Sequence, residues 1–401
     1  MSLFNINKSK KYLIAVSGGP DSVFLLCNIV KLVDPNDLVV CHVNYNFRSD
    51  SNNDQMIVTN LCKQLNLKLE ILNINKDYSL LKQNFESWAR AQRYDFFNMI
   101  ASKYQIYNLL VAHNLNDLIE TYLLQLQRNN LVDYYGLKPV SHYKDLVVYR
   151  PLLDIKKSQI LNYLNTNKIS YAVDSTNSDI KYQRNKIRAT LNENNFTKIL
   201  DQINKANNNL NSIKKIVDNY LKNNIINNEL NLTKELFLLD QTCIQRIIYT
   251  YFKLINKENL LLNRSNKTIS EIVKRLVNSN KNYWKINLND HSLIKDYNKL
   301  FVIKNSLLEP KTIIINDLND LINQTTFKNI KEIEQIILKD KNFSYVITTD
   351  YEMYKSITTI ANKKTNRYFI DRKISYKTRL LSPVVYNIKN KIILNKIKKH
   401  Y

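Results

Sequence analysis

The chain has 401 residues, 44% of them hydrophobic, which is room for two or three domains with real cores and excludes wholesale disorder. Lys and Arg total 59 against 35 Asp and Glu, a formal net charge of +24. The excess is distributed, with 24 basic and 17 acidic side chains in residues 1–200 and 35 and 18 in residues 201–401. A field of this sign suits a polyanion better than a small neutral metabolite, although a compositional bias toward Lys, Asn and Ile would raise the Lys count with no partner involved.

Taken in chain order, residues 10–170 alternate between short apolar runs and longer amphipathic stretches. Tyr12 to Val16 predicts a buried strand and Ser22 to Leu32 a helix. Leu38 to Val43 predicts a second strand, Asp54 to Leu65 a second helix, and Leu67 to Ile74 a third strand. A long helix is expected over Phe85 to Tyr104, a fourth strand over Asn108 to His113, and a helix over about Asn116 to Gln127. Leu146 to Leu152 reads as a fifth strand and Lys156 to Thr166 as a further helix. Apolar strands separated by helices mean an α/β fold with a parallel sheet covered on both faces, where ligands sit beyond the carboxyl ends of the strands. Residues 201–306 read mostly as helices, and residues 311–401 turn strand-like at Thr312–Ile315, Phe343–Thr348, Arg367–Ile370 and Ile392–Leu394. The expected domains are 1–200, a helical 201–310, and a small α+β domain over 311–401, with Pro310 marking the last boundary.

Four cysteines (Cys27, Cys41, Cys62, Cys243) have no paired spacing. That argues against a zinc ribbon or dithiol centre and for reduced, mostly buried thiols in a cytoplasmic protein without a disulfide-linked partner. No signal-peptide core and no apolar run of about 18 residues is seen, so no membrane span is expected.

Glycine occurs three times, at Gly18, Gly19 and Gly136. Two of these fall in Ser17-Gly18-Gly19-Pro20-Asp21-Ser22, between the first strand and the first helix. Adjacent glycines allow a tight turn and close backbone approach to a ligand, the two serines add hydroxyls, and the helix start adds its positive dipole end. The result is an anion cradle sized for phosphates, lacking both the Walker pattern and the dinucleotide fingerprint. A plain strand-to-helix turn with a cap would use the same residues.

This SGGPDS loop resembles the pyrophosphate-binding loop of the PP-loop ATPases (adenine nucleotide alpha hydrolase-like). The resemblance implies ATP as substrate, cleaved between the α and β phosphates, with Ser17, Gly18, Gly19, Pro20, Asp21 and Ser22 binding it and Asp21 near a Mg²⁺. Further segments are similar to the tRNA(Ile)-lysidine synthetases: His42 to Arg48 (HVNYNFR), Glu86…Ala89-Arg90…Arg93-Tyr94, Ala112-His113…Asp117…Glu120-Thr121, Arg150-Pro151-Leu152-Leu153, and Asp174 to Asn177 followed by Arg184…Arg188. The chain departs from that family where glycines are common: Tyr45-Asn46 and Arg128-Asn129 stand there.

The implied reaction joins the ε-amine of free L-lysine to C2 of the wobble cytidine in tRNA(Ile) with a CAU anticodon, through an adenylated base. It needs a cation pocket and a carboxylate to take a proton. Asp117 and Glu120, spaced i, i+3 on one helix face, are assigned to lysine, with Asp117 the favoured general base. Two solvated surface acids would show the same spacing. Arg90 and Arg93 are assigned to charge stabilisation, His113 to ATP or base, and Arg184, Lys186 and Arg188 to the tRNA backbone or the activated nucleotide. The competing readings are another PP-loop enzyme such as a tRNA thiolase, or a non-catalytic RNA-binding protein. The oligomeric state is left open.

Overall fold

Between Tyr12 and Val16 every side chain is apolar or aromatic, and the strand they form is buried on both sides. In the computed structural model β1 (Tyr12–Ala15) is followed by α1 (Pro20–Ile29), β2 (Leu38–Asn44), α2 (Ser51–Gln64), β3 (Lys68–Asn73), α3 (Phe85–Tyr104), β4 (Asn108–Leu110) and α4 (Leu115–Arg128). Then come β5 (Val140–Tyr143), β6 (Leu146–Tyr149), α5 (Lys157–Thr166), α6 (Gln183–Thr190) and α7 (Phe196–Asn224). The structure describes residues 6–47, 51–76, 78, 81, 84–129, 131–172, 183–261, 265–327 and 330–397. The chain divides into two units, Met1–Asn211 and Ser212–Tyr401, with the division inside α7.

In the first unit the strand order is β3-β2-β1-β4-β6-β5. All pairings are parallel except the edge hairpin β5–β6; the expected fifth strand over Leu146 to Leu152 is β6, and β5 is an additional strand without an apolar run to mark it. Successive residues of a strand face opposite sides. Ile14 and Val40 therefore pack on one face with Phe24 and Leu25 of α1 and Ile160 and Leu164 of α5. Leu13, Val39 and Cys41 pack on the other with Tyr94, Phe97 and Ile100 of α3. Two covered faces explain why the strand sequences lack polar alternation. The order reverses between β1 and its neighbours β2 and β4, which opens a crevice at the carboxyl ends of β1 and β4.

The second unit holds β7 (Ile225–Ile226), β8 (Glu229–Asn231), α8 (Gln241–Leu254), α9 (Ser265–Asn278), β9 (Tyr283–Leu288), β10 (His291–Asp296) and β11 (Lys299–Lys304). It continues with β12 (Thr312–Ile315), α10 (Leu318–Ile322), α11 (Lys331–Asp340), β13 (Tyr345–Thr348), α12 (Tyr351–Tyr354), β14 (Thr358–Thr359), α13 (Thr365–Asp371), α14 (Tyr376–Leu381), β15 (Val384–Asn387) and β16 (Ile392–Ile393). The expected helices of residues 201–306 are accompanied by an antiparallel sheet, β7-β8-β11-β10-β9, which the periodicity did not reveal. Its turns use Asn227, Asn228, Asn289 and Tyr297 at positive φ, so the usual Asn-Gly and Asp-Gly hairpin signals are missing. A second sheet has the order β12-β13-β15-β16-β14. Arg367–Ile370, expected as strand, lies in α13 instead. Thr365, Tyr368 and Phe369 fall on one helical face and are buried, while Arg367 and Asp371 form an i, i+4 ion pair at 3.0 Å.

Candidate active site

The loop after β1 leaves the sheet at the crevice. Val16 N–H still donates to the Cys41 carbonyl at 3.0 Å, and Gly18 then takes φ +92°. A side chain there would be strained by the dihedral, and its Cβ would stand 3.0 Å from the Asp54 carbonyl oxygen. Ser22 is buried and braces the turn: its Oγ donates to the Gly19 carbonyl (2.9 Å) and accepts from Ser17 N–H (3.1 Å). Pro20 opens α1, where a missing N–H costs nothing, and the first-turn amides that follow have no intrahelical partners. Here the dipole of a ten-residue helix favours an anion.

Two cavities flank this loop. One, of about 230 Å³, is lined by Ser17, Gly19, Asp21 and Ser22 together with Tyr45, Arg93 and His113. The other, of about 600 Å³, is lined by Ser17, Gly19, Pro20 and Asp21 together with Asp117, Glu120, Lys157 and Arg188. Ser17, Gly19 and Asp21 thus belong to both. Gly18 lines neither and acts through the turn itself. Arg90 is also outside both linings, its guanidinium lying 4.6 Å from the Tyr94 ring centroid.

The acids stand on α4, which starts with a capping box. Asn114 Oδ1 accepts from Asp117 N–H (3.0 Å), and Asp117 Oδ2 accepts from Asn114 N–H (3.1 Å). Asn114 also donates through Nδ2 to Asp21 Oδ1 at 2.9 Å, while Lys157 Nζ holds Asp21 Oδ2 at 2.7 Å. One carboxamide therefore ties the phosphate-type loop to the acid pair. Burial is the main cause that raises the Asp117 carboxyl above the usual range, offset partly by Arg184. The Glu120 side chain is 2% exposed and receives Arg184 Nε and Arg188 Nε, each at 2.9 Å; Arg184 Nη2 reaches Asp117 Oδ1 at 2.9 Å. Arg184 and Arg188, expected to meet the tRNA backbone or the activated nucleotide, lie against the acids, and the acids are not a solvated helix surface.

His113 lines the smaller cavity with its Nδ1 buried and, among the described residues, without a hydrogen-bond partner. Burial first, and then Arg150, Arg93, Arg184 and Arg90, push its pKa down to about 3, so the ring is neutral at physiological pH. Arg150 lines neither of these two cavities and pins the edge hairpin, donating to the Lys138 carbonyl (2.8 Å) and Ser141 Oγ (2.9 Å). Arg48 and Asp174 to Asn177, part of the family resemblance, lie outside the described residues. All four cysteines are free and buried, and burial raises the thiols of Cys41 and Cys62, the latter to about 12. Asn114 and Lys157 were given no role from sequence. Asn114 had a signal in the N-x-x-D cap pattern ahead of an apolar helix. Lys157 had none, since its partner is 136 residues away.

A nucleotide loop at a sheet switch point, set beside a buried acid pair, defines an ATP-using PP-loop enzyme; the family model described as "PP-loop domain" matches residues 1–195. Similarity extends well past that domain. The chain is 49% identical over 99% of its length to tRNA(Ile)-lysidine synthase of Mesoplasma florum, covering 100% of that protein. It is 35% identical to the synthase of Ureaplasma parvum, over 79% of this chain and 96% of that one, and 38% identical to that of Mycoplasmopsis pulmonis, over 73% and 99%. The chain belongs to the tRNA(Ile)-lysidine synthase family.

Proposed function

We propose that the protein ligates free lysine to C2 of the wobble cytidine of tRNA(Ile) with a CAU anticodon, using ATP and releasing AMP and pyrophosphate. The cytidine C2 oxygen attacks the α-phosphorus and the bond to pyrophosphate breaks. The lysine ε-amine then attacks C2 and gives up a proton, and AMP departs carrying the former C2 oxygen. The Ser17–Ser22 loop with the α1 N-terminus holds the departing pyrophosphate. Arg93 and neutral His113 line the space for the nucleotide and the base. Asp117 and Glu120 hold the lysine amine, and Asp117, with its basicity raised by burial, takes the proton. The ammonium exchanges with a guanidinium on the acids, because Arg184 and Arg188 already neutralise them.

Among the described residues no group of three or more His, Cys, Asp or Glu is placed to hold a metal ion. Mg²⁺ takes one or two carboxylates and otherwise keeps water and phosphate oxygens, so Asp21, which lines both cavities beside the loop, fits as its protein ligand. Bound there, the ion would neutralise phosphate charge. Among the described residues no helix is long and apolar enough to cross a membrane.

The observation that supports this reading most is that one loop serves two cavities, with an acid pair in one and arginine and histidine in the other. The test is incubation with ATP, labelled lysine and total tRNA. Label entering tRNA with equal AMP and pyrophosphate is expected. ATP-dependent sulfur transfer, or binding without turnover, would overturn it.

A further inference from the structure

Directly after β2 the chain carries Tyr45-Asn46. Asn46 adopts φ +48° and is held there: its N–H donates to Asn44 Oδ1 (2.9 Å) and its Nδ2 donates to Asn75 Oδ1 (2.6 Å). Asn tolerates this conformation better than other non-glycine residues. The bend turns Tyr45 inward to line the smaller cavity and leaves Phe47 51% exposed. Phe47 is not a stray apolar side chain. It stacks on Phe85 of α3, with centroids 4.3 Å apart and planes 20° apart, and Tyr78 and Trp88 pack behind. Tyr45 closes the layer, its hydroxyl donating to the Ala89 carbonyl at 2.8 Å. Lys76 Nζ lies 5.1 Å from the Trp88 ring centroid, and Arg90 and Arg93 follow on the same helix. An aromatic layer therefore runs from the mouth of the cavity to the surface, with cations beside it.

An occupant must offer a flat apolar face and negative charge, which is the chemistry of an unpaired RNA base and its phosphates. A cytidine cannot be modified inside a stacked loop; when it swings out, its neighbour loses a stacking partner. We infer that Phe47, backed by Phe85, is the stacking platform for the anticodon-loop base next to the reacting cytidine. The inference rests on the activity proposed above.

The test compares Phe47→Leu, which keeps the apolar contact with Phe85 but loses the ring, with Phe47→Trp, which keeps a ring. The substrate tRNA carries 2-aminopurine in place of the adenine that follows the cytidine. In the wild-type and Phe47→Trp proteins, binding should quench the fluorescence. In Phe47→Leu the quench should vanish and the KM for tRNA rise about tenfold, while the KM values for ATP and lysine stay put. Unchanged quenching and tRNA KM in Phe47→Leu would sink the platform and leave the activity standing. A wild-type protein that forms no lysidine would remove the activity and the platform with it. Should Phe47→Leu fail to fold, the wild-type quench decides, since its absence overturns the inference.

Discussion

Charge is used differently in the two units. In the first, acids meet cations from distant parts of the chain: Asp21 with Lys157, and Glu120 with Arg184 and Arg188. In the second, Glu229 is shared by Lys299 and Lys377, yet residues 212–401 carry 34 basic side chains to 17 acidic. The first arrangement builds a site by compensation, and the second leaves a surplus whose field favours a polyanion. Long-range field and local pairing are separable, so substitutions in one unit should leave the other's observable alone.

The largest effect is expected from stripping the cations from the buried acid. Arg184→Ala with Arg188→Ala leaves the Glu120 carboxylate buried and unpaired, and should lower stability by about 3 kcal/mol in chemical unfolding. Adding Glu120→Gln should restore most of that loss; no restoration would mean that the arginines stabilise by packing and not by pairing. Next, Asp117→Ala should raise the lysine KM on the order of 100-fold, with tRNA affinity and the ATP KM nearly unchanged. If lysine kinetics stay normal, the amine does not sit on α4. Gly18→Ala should cost about 1 kcal/mol or more, seen in thermal unfolding, and raise the ATP KM, because the turn must give way. The smallest effect belongs to the second unit. Lys373 lines a cavity there of about 970 Å³, and Lys373→Ala should weaken tRNA binding a few-fold and lower the slope of log affinity against log salt by about one. A matching change in lysine KM would blur the division of labour drawn above.

The same contrast governed what could be read from the sequence. The first unit's central strands β1, β2 and β4 are parallel and largely buried, so they stand out as apolar runs, and α3 is legible from end to end, whereas the exposed edge strand β5 gives no such signal. The β7–β11 sheet of the second unit is made of hairpins whose left-handed turn positions hold Asn or Tyr in a chain with three glycines, so it lacks the usual turn signal, while β12, β13 and β16 of the other sheet are legible as apolar runs. In the site, Asp117 and Glu120 could be found because three-residue spacing puts them on one face of α4. Their arginine partners could not, because Arg184 and Arg188 lie 64 and 68 residues from Glu120 and carry no local pattern that joins them to it. The resemblance points to those arginines, but toward tRNA or the activated nucleotide and not toward the acid pair.

Asn114 holds Asp21 with its side-chain nitrogen and caps α4 at Asp117 with its side-chain oxygen. Anything that draws Asp21 away from this amide also slackens the cap that orients Asp117. With ATP at Asp21 and lysine at Asp117, as proposed above, occupancy of one site should be felt at the other, equally in both directions by thermodynamic reciprocity. The two small substrates should consequently bind with synergy or antagonism and not independently, which isothermal titration of each in the presence of the other would measure directly.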